Sequence, residues 1–132
     1  MIYLDTSVML LALLEQPGAE SARTLIEQAH GGRIASSALL AIEAARAIHR
    51  EGLDMSVVDE FLPNIELLEI SREVVDGACA LTGELKSLDA IHLASALILH
   101  SDADPVTVLT HDARLAEAAR ARGLAVVDPL AP

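Results

Sequence analysis

Short β-branched and aliphatic runs alternate along this chain with longer stretches in which apolar residues return every three or four positions. The short runs are "IYL" at 2–4, "RIA" from Arg33, "IELLEI" from Ile65, "VTVL" from Val106 and "LAVV" from Leu124. Between them the helical period predicts helices over 6–14, 19–30, 36–50, 54–62, 72–82, 87–99 and 113–122. Strand and helix in alternation mark βα units, so the expectation is an α/β fold of three layers, α/β/α, around a mostly parallel five-stranded sheet. Thr6 and Ser7 stand where they could cap the first helix, and Ser36 and Ser37 where they could cap the third. "QPG", Gly31 with Gly32, Gly52, Pro63 and Gly123 supply the breaks. No repeat, low-complexity segment or linker divides the chain, and one domain over 1–132 is expected.

The stretch "LKSLDAIHLASALILH", residues 85–100, departs from simple amphipathicity. From Leu88 to Leu99 almost every position is apolar, as in a helix enclosed on most sides, yet it carries Asp89, His92 and Ser95. An unpaired carboxylate is costly to bury. Steps of three keep the three side chains within about a third of the helix circumference, which predicts a polar stripe facing a cleft.

Composition narrows the classes. Hydrophobic residues make up 52% of the 132, enough for a sizeable core. Nine Lys and Arg against 20 Asp and Glu leave a net charge of −11, which repels polyanions at long range. Tyr3 and Phe61 are the only aromatics, so a stacking platform for bases is lacking, and any nucleic acid would be held through metal and backbone phosphate. Cys79 stands alone, which excludes an intrachain disulfide, fits a reducing compartment and is expected to be packed in a helix. The opening "MIYLDTS" lacks the basic region of a signal peptide, and no apolar run is long enough to span a bilayer. A soluble, cytoplasmic protein with no membrane partner is the expectation.

Four acids then acquire a shared address. Ligand crevices of open parallel sheets lie beyond the carboxyl ends of the strands, where strand order reverses. Asp5 ends the first strand and Asp112 follows the "VTVL" strand after Thr110 and His111, while the helices carrying Glu43 and Asp89 open at the same edge. Each has a plainer reading: a turn or cap for Asp5, an i+3 pair with Arg46 for Glu43, an N-cap for Asp112, and an exposed first-turn acid for Asp89. For Glu43 and Asp112 position alone favours the plainer one. Together, however, four converging carboxylates would repel one another by roughly 4 kcal/mol per close pair at an effective dielectric near 20. A divalent cation removes that cost. Oxygen donors without paired Cys or His favour Mg²⁺ or Mn²⁺ over Zn²⁺ and leave His92 as a hydrogen-bonded support.

These same segments carry a resemblance. "MIYLDTSV", "SSALLAIEAAR" around Glu43, "LKSLDAIHLASAL" around Asp89 and "VLTHDARLAEAAR" around Asp112 resemble the PIN domain, and within it the VapC-type toxins of toxin-antitoxin pairs. The likeness runs from Met1 to "GLAVVDP", with no motif between Gly52 and Gly83. It implies a metal-dependent endoribonuclease with sheet order 3-2-1-4-5. Asp5, Glu43, Asp89 and Asp112 fall on the four acidic positions that bind Mg²⁺ or Mn²⁺. Thr6 or Ser7 and Thr110 fall on hydroxyl positions beside the first and last acids, and Arg46 on one that is often basic. A cognate VapB-type antitoxin, an RNA substrate and a homodimer come with the resemblance.

The implied chemistry is hydrolysis by activated water, leaving a 5′-phosphate and a 3′-hydroxyl. A phosphoacceptor receiver domain fits poorly, since "LDTS" offers one acid and Lys86 is the only lysine. A phosphatase opening on Asp-x-Asp fails at Ser7. The remaining alternative is a catalytically silent PIN module that acts by partner binding, against which the four intact acids count.

Overall fold

Five strands, β1 (Ile2–Leu4), β2 (Ile34–Ser37), β3 (Glu66–Leu68), β4 (Thr107–Leu109) and β5 (Ala125–Val127), form one sheet in the computed structural model, which describes residues 1–29 and 32–131. Their order is β3-β2-β1-β4-β5, and every pairing is parallel. Parallel neighbours need crossovers, and helices supply them: α1 (Thr6–Leu13), α2 (Ala19–Gln28), α3 (Ala38–Arg50), α4 (Ser56–Phe61), α5 (Arg72–Ala80), α6 (Ser87–Leu99) and α7 (Ala113–Ala121).

The chain builds outward from β1 to β3, returns, and lays β4 on the other flank of β1. The switch point therefore falls between β1 and β4. Their register pairs Leu4 with Leu109, so the residues that follow, Asp5 and Thr110, leave the sheet side by side.

Alternation along the strands divides the core. Leu4 and Leu109 join Val8, Met9, Leu40, Ile48 and Val58 on the face covered by α1 to α4. Tyr3 and Val108 join Leu93, Ala96, Leu115 and Ala119 under α6 and α7. The central strands β1, β2 and β4 are covered on both faces, which is why their runs read as apolar rather than alternating, while the edge strands β3 and β5 stay largely exposed.

Several local expectations are corrected. Thr6 and Ser7 lie inside α1 and do not cap it; Asp5 occupies the N-cap position and makes no side-chain cap bond. Ser36 belongs to β2, and Ser37 alone caps α3, accepting from Leu39 N at 3.0 Å. The helix expected over 54–62 is shorter, and Pro63 sits within a 3₁₀ turn (Leu62–Asn64), where its fixed φ is tolerated. Cys79 lies on α5 but is exposed, because α5 turns only Val74 fully inward. The predicted end of the second helix at His30 and Gly31 lies outside the described residues.

Candidate metal and nuclease site

Asp5 is carried into the interior by the strand it ends and is only 4% exposed. Among the described residues no Arg or Lys pairs with it; its Oδ2 instead accepts from Ser7 Oγ at 2.6 Å and Thr110 Oγ1 at 2.8 Å. Both donors follow from local geometry. Ser7 is the second residue of α1, two positions on from Asp5, and Thr110 leaves β4 in register with Asp5. The two hydroxyls are tied in turn to the backbone, with His111 N donating to Ser7 and Asp112 N to Thr110, each at 3.0 Å. One oxygen of Asp5 is thus held by two donors, while Oδ1 lies 3.7 Å from His92 Nε2.

Glu43 shows the same division. It sits half-buried on α3, and its Oε1 accepts from Thr6 Oγ1 at 2.8 Å and from His92 Nε2 at 2.8 Å. Burial works to raise its pKa, but the bonds from His92 and Thr6 outweigh it and hold the carboxyl below the usual glutamate value. The expected pair with Arg46 does not form: Arg46 is exposed and makes no ion pair among the described residues. A buried hydroxyl and imidazole offer Glu43 better-oriented donors than a solvated guanidinium.

His92 is buried on α6, and its other nitrogen, Nδ1, lies 2.8 Å from Tyr3 Oη. Tyr3 is fully enclosed. Burial keeps its phenol protonated far beyond the physiological range, with Asp5 adding to the effect and Ser95, Ser36 and Ser37 opposing it. A carboxylate only accepts, so Nε2–H points at Glu43, and in the neutral imidazole Nδ1 accepts from the phenol. Tyr3 is the site residue that sequence reasoning missed. Its signal was a tyrosine between two aliphatics in a strand, whose O–H must find a partner once buried.

Asp89 stands half-buried in the first turn of α6. Its pKa is raised, first by desolvation and then by the carboxylates of Asp112, Asp5 and Glu43, with His92 opposing. All four acids therefore share one electrostatic neighbourhood. Asp112 does cap α7, its Oδ1 accepting from Leu115 N at 2.9 Å. The expected stripe on α6 is only partly a cleft face, since Ser95 bonds back to Ile91 O at 2.7 Å and His92 is enclosed. His111 turns away to Asp128, with Nδ1 2.9 Å from Oδ1.

Among the described residues no three His, Cys, Asp or Glu side chains close a metal cage by themselves. The donor chemistry nonetheless suits a hard cation. Mg²⁺ keeps several waters and takes one or two carboxylates directly, and here oxygens of Asp5 and Glu43 remain beside Asp89 and Asp112 after their hydroxyl and imidazole donors are counted.

Fold and site together define a doubly wound α/β protein with an acidic centre at its switch point. The PIN domain family profile matches residues 2–121, and the chain belongs to that family. Among curated relatives it is similar to Ribonuclease VapC35 of Mycobacterium tuberculosis, 36% identical over 133 residues that cover 98% of this chain and 97% of that protein. Ribonuclease VapC46 of the same organism is 35% identical over 130 residues, 97% of each chain. Among solved structures, a toxin-antitoxin complex from Klebsiella pneumoniae superposes with TM-score 0.72 at 19% identity over 100% of both chains. VapBC2 from Rickettsia felis, bound to a DNA fragment from its promoter, superposes with TM-score 0.69 at 19% identity over 97% of this chain and 98% of that one. These two likenesses establish the fold. No helix among the described residues is long and apolar enough to cross a membrane.

Proposed function

We propose that this chain is one PIN domain acting as a Mg²⁺- or Mn²⁺-dependent endoribonuclease, the toxin of a VapBC-type pair. The observation that carries the reading is the gathering of Asp5, Glu43, Asp89 and Asp112 at one sheet edge, with Asp5 buried among hydroxyl donors instead of cations. Curated relatives named ribonucleases over nearly the full chain support the activity.

Asp5 and Asp89, with Asp112 and Glu43 beside them, would hold the cation. Such an ion supplies positive charge at a scissile phosphate and acidifies the attacking water. The protein's own groups do the rest. Ser7 and Thr110 fix one oxygen of Asp5, Thr6 and His92 fix one of Glu43, and the fixed carboxylates confine where phosphate and water meet.

A chain of net charge −11 still leaves some cations free to meet RNA phosphates. Arg23, Arg33 and Arg72 are spent in ion pairs with Glu15, Glu66 and Asp104, and Asp76. Arg46, Arg50, Lys86, Arg114, Arg120 and Arg122 have no such partner among the described residues, and they lie on α3, before α6, and on or just after α7. A groove of about 310 Å³ lined by Leu85, Arg114 and Arg122, with Glu84 and Glu117, runs beside α7. For a VapB-type antitoxin, the groove of about 400 Å³ lined by Leu13, Ile26, Phe61 and Ile65, with Glu15, Arg23 and Glu60 among its polar residues, is the surface we assign. Pairing of two copies is part of the same reading.

The test is RNA cleavage with and without chelator by the wild type and Asp5→Asn, with product ends sequenced. Metal-dependent cuts bearing 5′-phosphates, absent in Asp5→Asn, are expected. Full activity in Asp5→Asn, or activity surviving thorough chelation, overturns the reading.

A further inference from the structure

We infer that Tyr3 and His92 form a buried relay whose task is to aim Glu43, so that His92 is a positioning residue for the carboxylate and Tyr3 sets the tautomer that lets it act. The inference rests on the divalent-cation reading above and adds to it a part that the four acids do not contain.

The geometry assigns each proton. Tyr3 Oη, fully enclosed, is 2.8 Å from His92 Nδ1, and His92 Nε2 is 2.8 Å from Glu43 Oε1. A carboxylate only accepts, so the proton between imidazole and Glu43 belongs to Nε2. In the neutral imidazole Nδ1 is then the acceptor and the phenol the donor. Nε2 also stands 3.2 Å from Thr6 Oγ1 and 3.7 Å from Asp5 Oδ1, so one imidazole spans the gap between the two carboxylates. With Oε1 taking both Thr6 and His92, the carboxylate is locked in rotation and Oε2 is the oxygen offered to the crevice.

Three elements meet in this relay: Tyr3 from β1, His92 from the sixth helix and Glu43 from the third. Glu43 lies on a helix of the opposite layer from His92, so without the bond only Thr6, from its own layer, would hold it. An ordering partner of this kind sets a ligand's affinity without touching the ion, and its loss typically costs about 10–100-fold in metal binding.

Side-chain reach makes the test sharp. A glutamine at 92 places its amide nitrogen where Nε2 stands, whereas an asparagine places its own where Nδ1 stands. Full-length metal-free protein is titrated with Mn²⁺ by calorimetry as wild type, Asp5→Asn, His92→Gln, His92→Asn and Tyr3→Phe, with thermal melts run alongside. His92→Gln is expected to stay close to wild type, His92→Asn to bind at least about tenfold more weakly, and Tyr3→Phe to fall between, all with cooperative melts. Side-chain ¹⁵N shifts of His92 in the wild type are expected to show Nε2–H and a bare Nδ1.

A protonated Nδ1 overturns the relay without any variant being needed. Equal affinity for His92→Asn and wild type, or equal loss in His92→Gln and His92→Asn, overturns the positioning role while Asp5→Asn still abolishes binding. If wild type and Asp5→Asn give the same isotherm, the metal reading fails and takes this inference with it.

Discussion

Replacing Thr110 by valine keeps the shape of a fully buried side chain and deletes one hydroxyl. That hydroxyl donates to Asp5 Oδ2 at 2.8 Å and accepts from Asp112 N at 3.0 Å, with Ser7 Oγ a weaker neighbour at 3.4 Å. The first ends on a buried carboxylate without a guanidinium or ammonium partner, and bonds to charged groups contribute about 1.5–3 kcal/mol. The second ends on a half-buried residue that water can reach, so its loss costs about 0.5–1 kcal/mol, the low end for a neutral bond. Thr110→Val should therefore destabilise the metal-free protein by about 2–4 kcal/mol in urea unfolding, with an unchanged m-value. The double-mutant cycle with Asp5→Ala isolates the charge-assisted bond, because in that background only the amide bond remains to lose. A coupling of about 1–3 kcal/mol is expected between the two positions. A loss below about 0.5 kcal/mol, or strict additivity with Asp5→Ala, would refute the view that the hydroxyls carry the buried acid.

Asp89 has a raised pKa, so the folded state binds its proton more tightly than the unfolded chain and metal-free stability falls as pH rises from the usual aspartate value through the raised one. Asp89→Asn should therefore stabilise the chelator-treated protein at neutral pH, with the gain vanishing in acid; urea midpoints at both pH values check it. Glu43, held low, has the opposite sign: its contribution is present above the usual glutamate value and is lost as pH falls through the depressed one, so Glu43→Gln should cost stability at neutral pH but not in strong acid. Arg114→Ala should raise KM for RNA with little change in kcat and reduce the salt slope of binding by about one. Leu93→Ala, which empties a position under the α6–α7 layer, should cost about 2–5 kcal/mol in the same unfolding assay.

Much of this protein is legible without coordinates. Strand-helix alternation predicts the parallel sheet because both faces of its central strands are covered and these therefore read as continuous apolar runs. The rule that crevices open beyond strand ends brings Asp5 and Asp112 to one edge. Asp89 is conspicuous because a carboxylate in an otherwise apolar helix demands a reason.

What the sequence could not decide is partnership across the sheet. Position favours a helical pair of Glu43 with Arg46, but folding carries Thr6 and His92 to Glu43 from 37 and 49 residues away. Thr6 and Ser7 look like caps, because capping is a local property, and only the β1–β4 register brings Thr110 onto the carboxylate oxygen that Ser7 holds locally. Tyr3 reads as one more strand residue until the sixth helix lays an imidazole nitrogen against its hydroxyl. Local chemistry sets where each group sits along its element, since periodicity and caps act over a few residues. Which lone pairs are pinned and which remain open is settled by contacts between elements far apart in the chain, and only the packed layers contain them.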